Sequence, residues 1–319
     1  MQYIAETKEF QITEPTVVSI GKFDGLHVGH QKLVREMVRW KEKGLKVAMF
    51  TFSTPPLSLV GGRKQTVLMT NRERMELLRS AGGDYLVEYP FDQEVCRMAP
   101  EQFVKEILAG KMNARVIITG PDCHFGYKAA GDRALLEKLA PEYGYQFFVV
   151  EKERDTDGAI ISSTYVRKML EEGDVKKADR LLGYDYFITG TVTHGRSIGH
   201  KKLYPTANLL PPPEKHLPRF GVYVTRVTAD GKTYGGLTNI GKKPTIQGEN
   251  PVGVETYLYD FDGDLYGKEI RVELLDFIRP EMRFDSIGQL KAQLDHDIGK
   301  CREIFRDSWT VQEKGKADG

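Results

Sequence analysis

Two histidines and three glycines lie close together in a short segment near the start of the chain. The segment reads Gly21-Lys22-Phe23-Asp24-Gly25-Leu26-His27-Val28-Gly29-His30, between an apolar run that predicts a strand and a pattern that predicts an amphipathic helix. A strand that turns into a helix through glycines presents free backbone N–H groups and the positive end of a helix dipole. Residues 21–30, called the histidine loop below, are therefore a candidate phosphate site.

His27 and His30 are three residues apart, so on a first helical turn they share one face and can reach the same phosphate. This arrangement suits nucleotidyl transfer, in which the attacking phosphate is itself the nucleophile and the protein supplies positioning and charge-neutralising donors. The His-x-Gly-His letters alone fit a helix cap or a surface position equally well. Gly25 and Gly29 favour the site, because glycine is unfavourable in regular elements unless backbone must approach a partner closely.

A second polar cluster, Ile161-Ser162-Ser163-Thr164-Tyr165-Val166-Arg167, opens a helical pattern that stops at Gly173. Its hydroxyls are typical N-cap residues, and for them a capped helix is the better interpretation. Arg167 lies one turn after Thr164, where its planar fork could reach the β- and γ-phosphates of a nucleotide held by the serines.

The first half of the chain alternates apolar runs with helical patterns, which predicts an α/β domain with a parallel sheet. Ligands of such sheets bind beyond the carboxyl ends of the strands, where the histidine loop falls. The predicted strands are Val17–Ile20, Lys46–Phe52, Tyr85–Tyr89, Arg115–Thr119 and Tyr145–Val150; the predicted helices are Gln31–Lys43, Arg72–Ser80 and Pro100–Ala109, the last stopped by Gly110.

From Tyr186 onward short β-rich runs predict an antiparallel barrel, followed by a helix over Ser286–Phe305. The runs are Tyr186–Thr193, Gly221–Thr228, Thr233–Leu237, Val254–Tyr259 and Glu269–Phe277, with turns at Asp230-Gly231 and Asp262-Gly263. At 319 residues two domains are expected. We place them at residues 1–184 and 185–306, with a flexible tail over 307–319.

The composition of the chain limits only the kind of partner and the cellular compartment that are expected. With 46 Lys+Arg against 45 Asp+Glu the formal charge is +1, so neither a nucleic-acid partner nor another polyanion is expected. Three widely spaced cysteines offer neither a disulfide framework nor zinc spacing and suit the cytoplasm. No signal peptide and no apolar run of about 18 residues is found, so no membrane association is expected.

The first half of the chain carries Gly21-x-Phe23-Asp24-Gly25-x-His27-x-Gly29-His30 with Ile161-Ser162-Ser163-Thr164-x-x-Arg167. The second half carries Gly190-x-Val192-x-x-Gly195-x-x-x-Gly199, Leu203-x-Pro205-Thr206-Ala207-Asn208 and Glu255-Thr256-Tyr257. With these motifs in this order, the chain resembles the bacterial bifunctional riboflavin kinase/FAD synthetases. The resemblance implies a Rossmann-like nucleotidyltransferase domain that adenylylates FMN, and a β-barrel riboflavin kinase domain. In the first, the histidine loop and the Ser162–Arg167 cluster would hold ATP.

For the kinase domain the resemblance implies ATP and Mg²⁺, with Thr206 and Asn208 as metal ligands and Gly195 and Gly199 at the nucleotide phosphates. Glu255 would be the general base that deprotonates the ribityl hydroxyl of riboflavin. Taken without the family, an acidic residue in a strand is more often a solvent-facing side chain.

The N-terminal domain departs from the family where Gly-x-Asp-Phe-Arg-Phe-Gly is usual. Here the segment reads Gly120-Pro121-Asp122-Cys123-His124-Phe125-Gly126, so Cys123 and His124 replace the aromatic and basic residues. Thr51-Phe52-Ser53-Thr54-Pro55-Pro56 also lacks the acidic residue and histidine often found there. With Asp122 and Phe125 retained as weak flavin-binding candidates, we interpret the site as a variant one.

Three other interpretations remain open from the sequence. The chain could be another nucleotidyltransferase of the same superfamily, acting on pantetheine phosphate, nicotinamide mononucleotide or a glycerol phosphate, although the kinase-like half argues against it. It could be a riboflavin kinase with an inactive first domain, or a flavin-binding protein without turnover. The sequence leaves the oligomeric state, the choice of Mg²⁺ or Mn²⁺ and any need for reduced flavin undetermined.

Overall fold

The computed structural model describes residues 1–53, 66–193, 204–242 and 252–317, with side chains up to Phe305. The chain divides into two compact units, Met1–Ser163 and Thr164–Gly319. The domain boundary after residue 184 and the flexible tail stay predictions.

A six-stranded parallel sheet forms the centre of the first unit, which confirms the predicted α/β class. The strand order is β1-β4-β3-β2-β5-β6, with every pairing parallel. The strands are β1 Gln2–Ala5, β2 Thr16–Ile20, β3 Lys46–Phe52, β4 Tyr85–Tyr89, β5 Ala114–Thr119 and β6 Gln146–Val149. Because all strands run the same way, the residues that follow β2 to β5 gather at one edge of the sheet.

Helices alternate with these strands along the chain, as is typical of α/β domains. They are α1 Val28–Val38, extended by a 3₁₀ turn Arg39–Lys43; α2 Asn71–Ser80; α3 Gln93–Cys96; α4 Pro100–Gln102; and α5 Arg133–Tyr143. α2 begins with a capping box, in which the Thr70 hydroxyl accepts from Glu73 N–H and the Glu73 carboxylate accepts from Thr70 N–H.

The predicted helix end at Ala109 is wrong. After α4 the chain continues as a π-helix, Phe103–Lys111, which passes through Gly110. Its apolar face, Phe103, Val104, Ile107 and Leu108, is fully buried in the core of the unit. Burial of that face outweighs the low helix propensity of one glycine, which costs about 1 kcal/mol.

A closed antiparallel barrel forms the centre of the second unit, as predicted. Its strand order is β10-β11-β8-β7-β12-β9. The strands are β7 Phe187–Thr193, β8 Ala207–Leu209, β9 Gly221–Ala229, β10 Lys232–Lys242, β11 Val252–Leu258 and β12 Glu269–Pro280. The predicted Asp230-Gly231 turn joins β9 to β10 with both residues at positive φ, 48° and 72°.

Among the described residues three helices belong to the second unit or begin at its boundary: α6 Ser163–Glu172, α7 Val175–Leu182 and α8 Ile287–Ala317. α8 is longer than the predicted Ser286–Phe305 helix. A buried ion pair holds it to the barrel, since Arg279 of β12 donates from Nε and Nη2 to Asp297 Oδ2 at 2.9 and 2.7 Å. Asp297 is only 1% exposed, and Gln293 donates to its other oxygen.

Asp297→Ala is expected to lower the free energy of unfolding of the second unit by about 3 kcal/mol, because it leaves the Arg279 guanidinium buried without its partner. Urea denaturation monitored by circular dichroism measures the change. The matched control is Asp260→Asn, which weakens an exposed pair between Arg302 of α8 and Asp260 and should cost less than about 1 kcal/mol. Equal effects of the two variants would contradict the assignment.

Candidate functional site: two phosphate-handling centres

The histidine loop is an irregular turn between β2 and α1 that places three residues at positive φ: Phe23 at 48°, Gly25 at 79° and Leu26 at 34°. Such angles are strained for side-chain-bearing residues and persist only where the surroundings fix them. Asp24 provides part of that fixation. Its buried carboxylate accepts from Leu68 N–H at 2.8 Å, and its carbonyl accepts from the Ser163 hydroxyl at 2.7 Å.

The two histidines come together as the sequence predicts. His27 occupies the N-cap position of α1, and its ring stacks on that of His30 with centroids 3.8 Å apart. Phe23 packs edge-on against His30 at 5.5 Å. A Cβ at position 29 would lie 3.2 Å from the His27 ring, so Gly29 leaves room for the stack.

Burial lowers the pKa of both imidazole rings. Desolvation lowers the pKa of His27 to about 4. The pKa of His30 lies well below its ordinary value, first because of burial and then because of the charges of His27 and Arg74. Both rings are therefore neutral at pH 7, and the Nδ1 atoms of both are buried without a hydrogen-bond partner among the described residues. Neutral imidazoles at a helix N-terminus are suited to donate hydrogen bonds to a phosphate.

Sequence reasoning missed Arg74, which lies on α2 and is 7% exposed. Its charge lowers the pKa of His30 and interacts with the carboxylates of Glu88 and Asp24. The sequence signal was weak, because Arg74 stands among other charged residues, Arg72, Glu73 and Glu76, in a helix that reads as amphipathic. Only the packing of α2 on the sheet shows that this one arginine is buried.

The variant segment 120–126 follows β5 at the same edge of the sheet. It borders a pocket of about 270 Å³ whose lining includes His124, Lys128 and four phenylalanines: Phe52, Phe91, Phe103 and Phe125. Phe125 is 4% exposed and packs on Phe103, so it forms a wall of the pocket as part of the core. Asp122 is exposed and forms an ion pair with Lys152 at 2.7 Å.

Cys123 lies next to this pocket and is half-buried. Burial raises the pKa of its thiol to about 11, so the thiol is uncharged at neutral pH and unsuited to nucleophilic chemistry. With cysteine at position 123 and histidine at position 124, the pocket still has a mainly aromatic, apolar lining.

Ser162 and Ser163 lie at the start of α6, and Ser163 contacts the histidine loop through the Asp24 carbonyl. Thr164 is exposed in the first turn, and Arg167 follows one turn later on the same helix. In the second unit the pKa of His216 is lowered to about 4, first because its ring is buried and second because of the charge of Arg167.

Polar residues form a row across three neighbouring strands of the barrel. Asn239 of β10 pairs in register with Glu255 of β11, and Glu255 pairs with Asn208 of β8. Residues paired in this way share one face of a sheet. The structure therefore brings the predicted base, Glu255, beside the predicted metal ligand Asn208; Asn239 was not predicted.

Thr206 precedes β8, and its carbonyl accepts from Asn208 Nδ2 at 3.2 Å. That hydrogen bond uses the amide nitrogen of Asn208 and so orients the amide. The row continues on β7, where the Thr193 hydroxyl contacts the Asn208 carbonyl at 3.3 Å. Gly195 and Gly199 lie outside the described residues, as do Thr54, Pro55 and Pro56.

These two centres define an enzyme with two nucleotide-dependent transfer modules: a nucleotidyltransferase-type sheet edge with paired histidines, and a barrel with a carboxylate beside hard oxygen donors. In the described part of the chain no helix is long and apolar enough to cross a membrane.

Comparisons with known proteins agree with this class. A family model described as FAD synthetase matches residues 9–165, and one described as riboflavin kinase matches residues 182–305. The bifunctional riboflavin kinase/FMN adenylyltransferase of Escherichia coli K12 is 34% identical over 296 residues, which cover 92% of this chain and 93% of that protein. The corresponding protein of Listeria monocytogenes is 31% identical over 292 residues, 91% and 92% of the two chains.

A solved structure from Streptococcus pneumoniae, titled a macrolide-efflux protein, superposes with a TM-score of 0.84 at 30% identity and covers 94% of this chain and 98% of that one. The chain belongs to the bifunctional riboflavin kinase/FMN adenylyltransferase family.

The lowered pKa of His27 predicts acid sensitivity of the first unit. Between the unfolded value near 6.5 and the folded value of about 4, the unfolded chain takes up a proton that the folded chain does not, so stability falls as the pH falls. From pH 7 to pH 4.5 this one group should remove about 2 kcal/mol of unfolding free energy. Urea denaturation at both pH values should show a smaller loss in His27→Asn, and an identical loss would contradict the lowered pKa.

Proposed function

We propose that the second module phosphorylates riboflavin with ATP to give FMN and ADP, and that the first joins AMP from a second ATP to FMN, releasing FAD and pyrophosphate. The observation that carries this proposal is the presence of both centres in one chain: the stacked His27–His30 pair and the Asn239–Glu255–Asn208 row. Family membership supports the same pair of reactions.

In the first module the phosphate oxygen of FMN attacks the α-phosphorus of ATP, and pyrophosphate leaves. His27 and His30 donate hydrogen bonds to the α-phosphoryl oxygens, where charge develops, and the N-terminus of α1 adds its dipole. The backbone of the histidine loop, shaped by Gly21, Gly25 and Gly29, surrounds the phosphates. Ser162, Ser163, Thr164 and Arg167 hold the β- and γ-phosphates, while Phe23 and Asp24 keep the loop in shape.

The aromatic pocket beside segment 120–126 accepts the flavin ring of FMN. Its lining of phenylalanines offers flat apolar surface, and His124 supplies a donor in place of the family's basic residue. Asp122 and Phe125 then act indirectly, Phe125 as a wall and Asp122 through its pair with Lys152. The presence of this aromatic pocket beside the variant segment favours an active module over an inactive one.

In the second module Glu255 takes the proton from the terminal ribityl hydroxyl, whose oxygen attacks the γ-phosphorus of ATP while ADP leaves. Thr206 and Asn208 offer a hydroxyl and an amide oxygen beside the Glu255 carboxylate, a donor set that fits Mg²⁺. Bound there, Mg²⁺ would neutralise phosphate charge. Gly195 and Gly199 complete the proposed nucleotide loop.

We also place the enzyme in the cytoplasm, without a nucleic-acid or membrane partner. The near-zero net charge and the three free cysteines support this assignment.

His27→Ala is expected to lower FMN adenylylation by about a hundredfold to a thousandfold, because one preorganised donor to the transition state is lost. Riboflavin phosphorylation by the same preparation should be unchanged, which makes it the internal control for the amount of protein and for the folding of the second unit. The two rates are measured by chromatographic separation of flavins after incubation with ATP and magnesium. Equal loss of both activities would overturn the division of labour.

Glu255→Gln is expected to abolish phosphorylation of riboflavin, because the amide cannot accept the hydroxyl proton. FMN added to this variant should still become FAD at the rate of the unaltered protein. Glu269→Gln, at the exposed start of β12, is the matched control and should leave both rates intact. Unimpaired FMN formation by Glu255→Gln would exclude Glu255 as the base.

A further inference from the structure

Tyr204 lies two residues before Thr206, the proposed metal ligand, in a segment that strand pairing does not fix. The pairing of β8 with β11 ends at Ala207, and residues 204–206 are irregular. An irregular segment opens easily unless side chains hold it in place. The position of the Thr206 hydroxyl therefore depends on side-chain contacts, such as the hydrogen bond from Asn208 Nδ2 to the Thr206 carbonyl.

The side chain of Tyr204 contacts two other elements of the second unit. Its ring packs on the ring of Tyr257 with centroids 4.9 Å apart, and its hydroxyl donates to Asp295 Oδ1 of α8 at 2.6 Å. Tyr257 lies two residues after Glu255 on β11, so these two side chains leave the same face of the strand. Tyr204 therefore joins the segment before β8 to the strand of the proposed base and to the C-terminal helix.

Strong contacts hold α8 against the barrel without help from Tyr204. Asp297, two residues after Asp295, accepts both hydrogen bonds from Arg279 and is 1% exposed. Cys301, one turn later, is fully buried in the core beneath the helix. The bond from Tyr204 to Asp295 is exposed by contrast, and water can replace either partner, so it adds little to stability. What a fixed acceptor on a rigid helix does provide is a defined position for the donor.

We propose that Tyr204 is a positioning residue for riboflavin phosphorylation, which holds the segment carrying Thr206 beside Glu255. The Tyr257 ring supports Tyr204 from the strand of the base, and Asp295 fixes the direction of its hydroxyl. The proposal rests on the proposed kinase activity of the second module. Groups that orient a metal ligand change metal affinity or activity without touching the metal. By this contact α8, far from the base in sequence, becomes part of the kinase site.

A simpler possibility is that Tyr204 only helps to attach α8 to the barrel. The two explanations differ in which part of the chain loosens when the hydroxyl is removed. If the bond attaches the helix, the amide hydrogens of α8 should exchange faster with solvent. If it positions the segment, the amides of residues 206–208 should exchange faster, and those of α8 should be unchanged.

The test compares five variants of the full chain: Tyr204→Phe, Asp295→Ala, Asp295→Asn, the double variant Tyr204→Phe/Asp295→Ala, and Tyr234→Phe. Tyr234 is the matched control, a half-buried tyrosine of β10 whose ring packs edge-on against Phe261. For each variant, kcat and the KM for ATP are measured for riboflavin phosphorylation in excess magnesium. FMN adenylylation is the internal control for the amount of protein. Amide hydrogen exchange, followed by mass spectrometry without substrates, does not depend on activity.

Tyr204→Phe should raise the KM for ATP by about three- to tenfold, the effect of losing one hydrogen bond of ordinary net strength. Its kcat should change by less than about twofold, because Glu255 is untouched. Asp295→Ala should have the same effect, and the double variant should lose no more, since all three lack the same bond. Asp295→Asn keeps an oxygen acceptor and should retain most of the affinity. Residues 206–208 should exchange faster in Tyr204→Phe, and Tyr234→Phe should match the unaltered protein.

An unchanged KM for ATP in Tyr204→Phe, or faster exchange confined to α8, would overturn the proposal. So would additive losses in the double variant, equal losses in Asp295→Asn and Asp295→Ala, or an equal effect of Tyr234→Phe. If the unaltered protein makes no FMN from riboflavin, the proposed function fails instead. The substrate-free exchange of residues 206–208 then still decides whether Tyr204 holds the segment.

Discussion

Two hydrogen bonds accepted by Asp24 are the constraint on which the first centre depends. One comes from Leu68 N–H to its carboxylate and the other from the Ser163 hydroxyl to its carbonyl. They fasten the histidine loop to two distant parts of the chain, residues 68 and 163. The loop needs such fixation, since it carries Phe23 and Leu26 at positive φ, which costs on the order of 1–3 kcal/mol per residue. Held in this way, it delivers His27 and His30 to the start of α1 as a stacked pair.

The two centres solve the problem of phosphate charge differently. In the proposed adenylylation at the sheet edge the attacking group is already an anion, so no base is needed, and neutral donors with a helix dipole suffice. In the proposed phosphorylation at the barrel the attacking group is a hydroxyl, so a carboxylate has to accept its proton, and strand pairing places Asn239 and Asn208 on either side of Glu255. The different residue types of the two modules follow from the different nucleophiles.

Much of the architecture could be predicted from local sequence. β3 and β4 match their predicted limits, because short apolar runs flanked by turns and helices leave little choice of boundary. The stacked histidines were predictable from their spacing. The π-helix through Gly110 was not, because its stability comes from a buried apolar face that only tertiary packing creates. β8 was missed because three residues, Ala207–Leu209, are too short to show a period. The surroundings of Arg74 and Asn239 include residues far away in the sequence, Asp24 for Arg74 and Glu255 for Asn239. No local sequence pattern links the members of either pair.

The most direct test of the account is the separation of flavins by chromatography after purified protein is incubated with ATP and magnesium, in parallel with riboflavin or with FMN. The account predicts FAD in both reactions, with FMN appearing first and then declining in the reaction that starts from riboflavin. FMN from riboflavin with no FAD in either reaction would contradict an active first module. No conversion in either reaction would contradict the assignment of both centres.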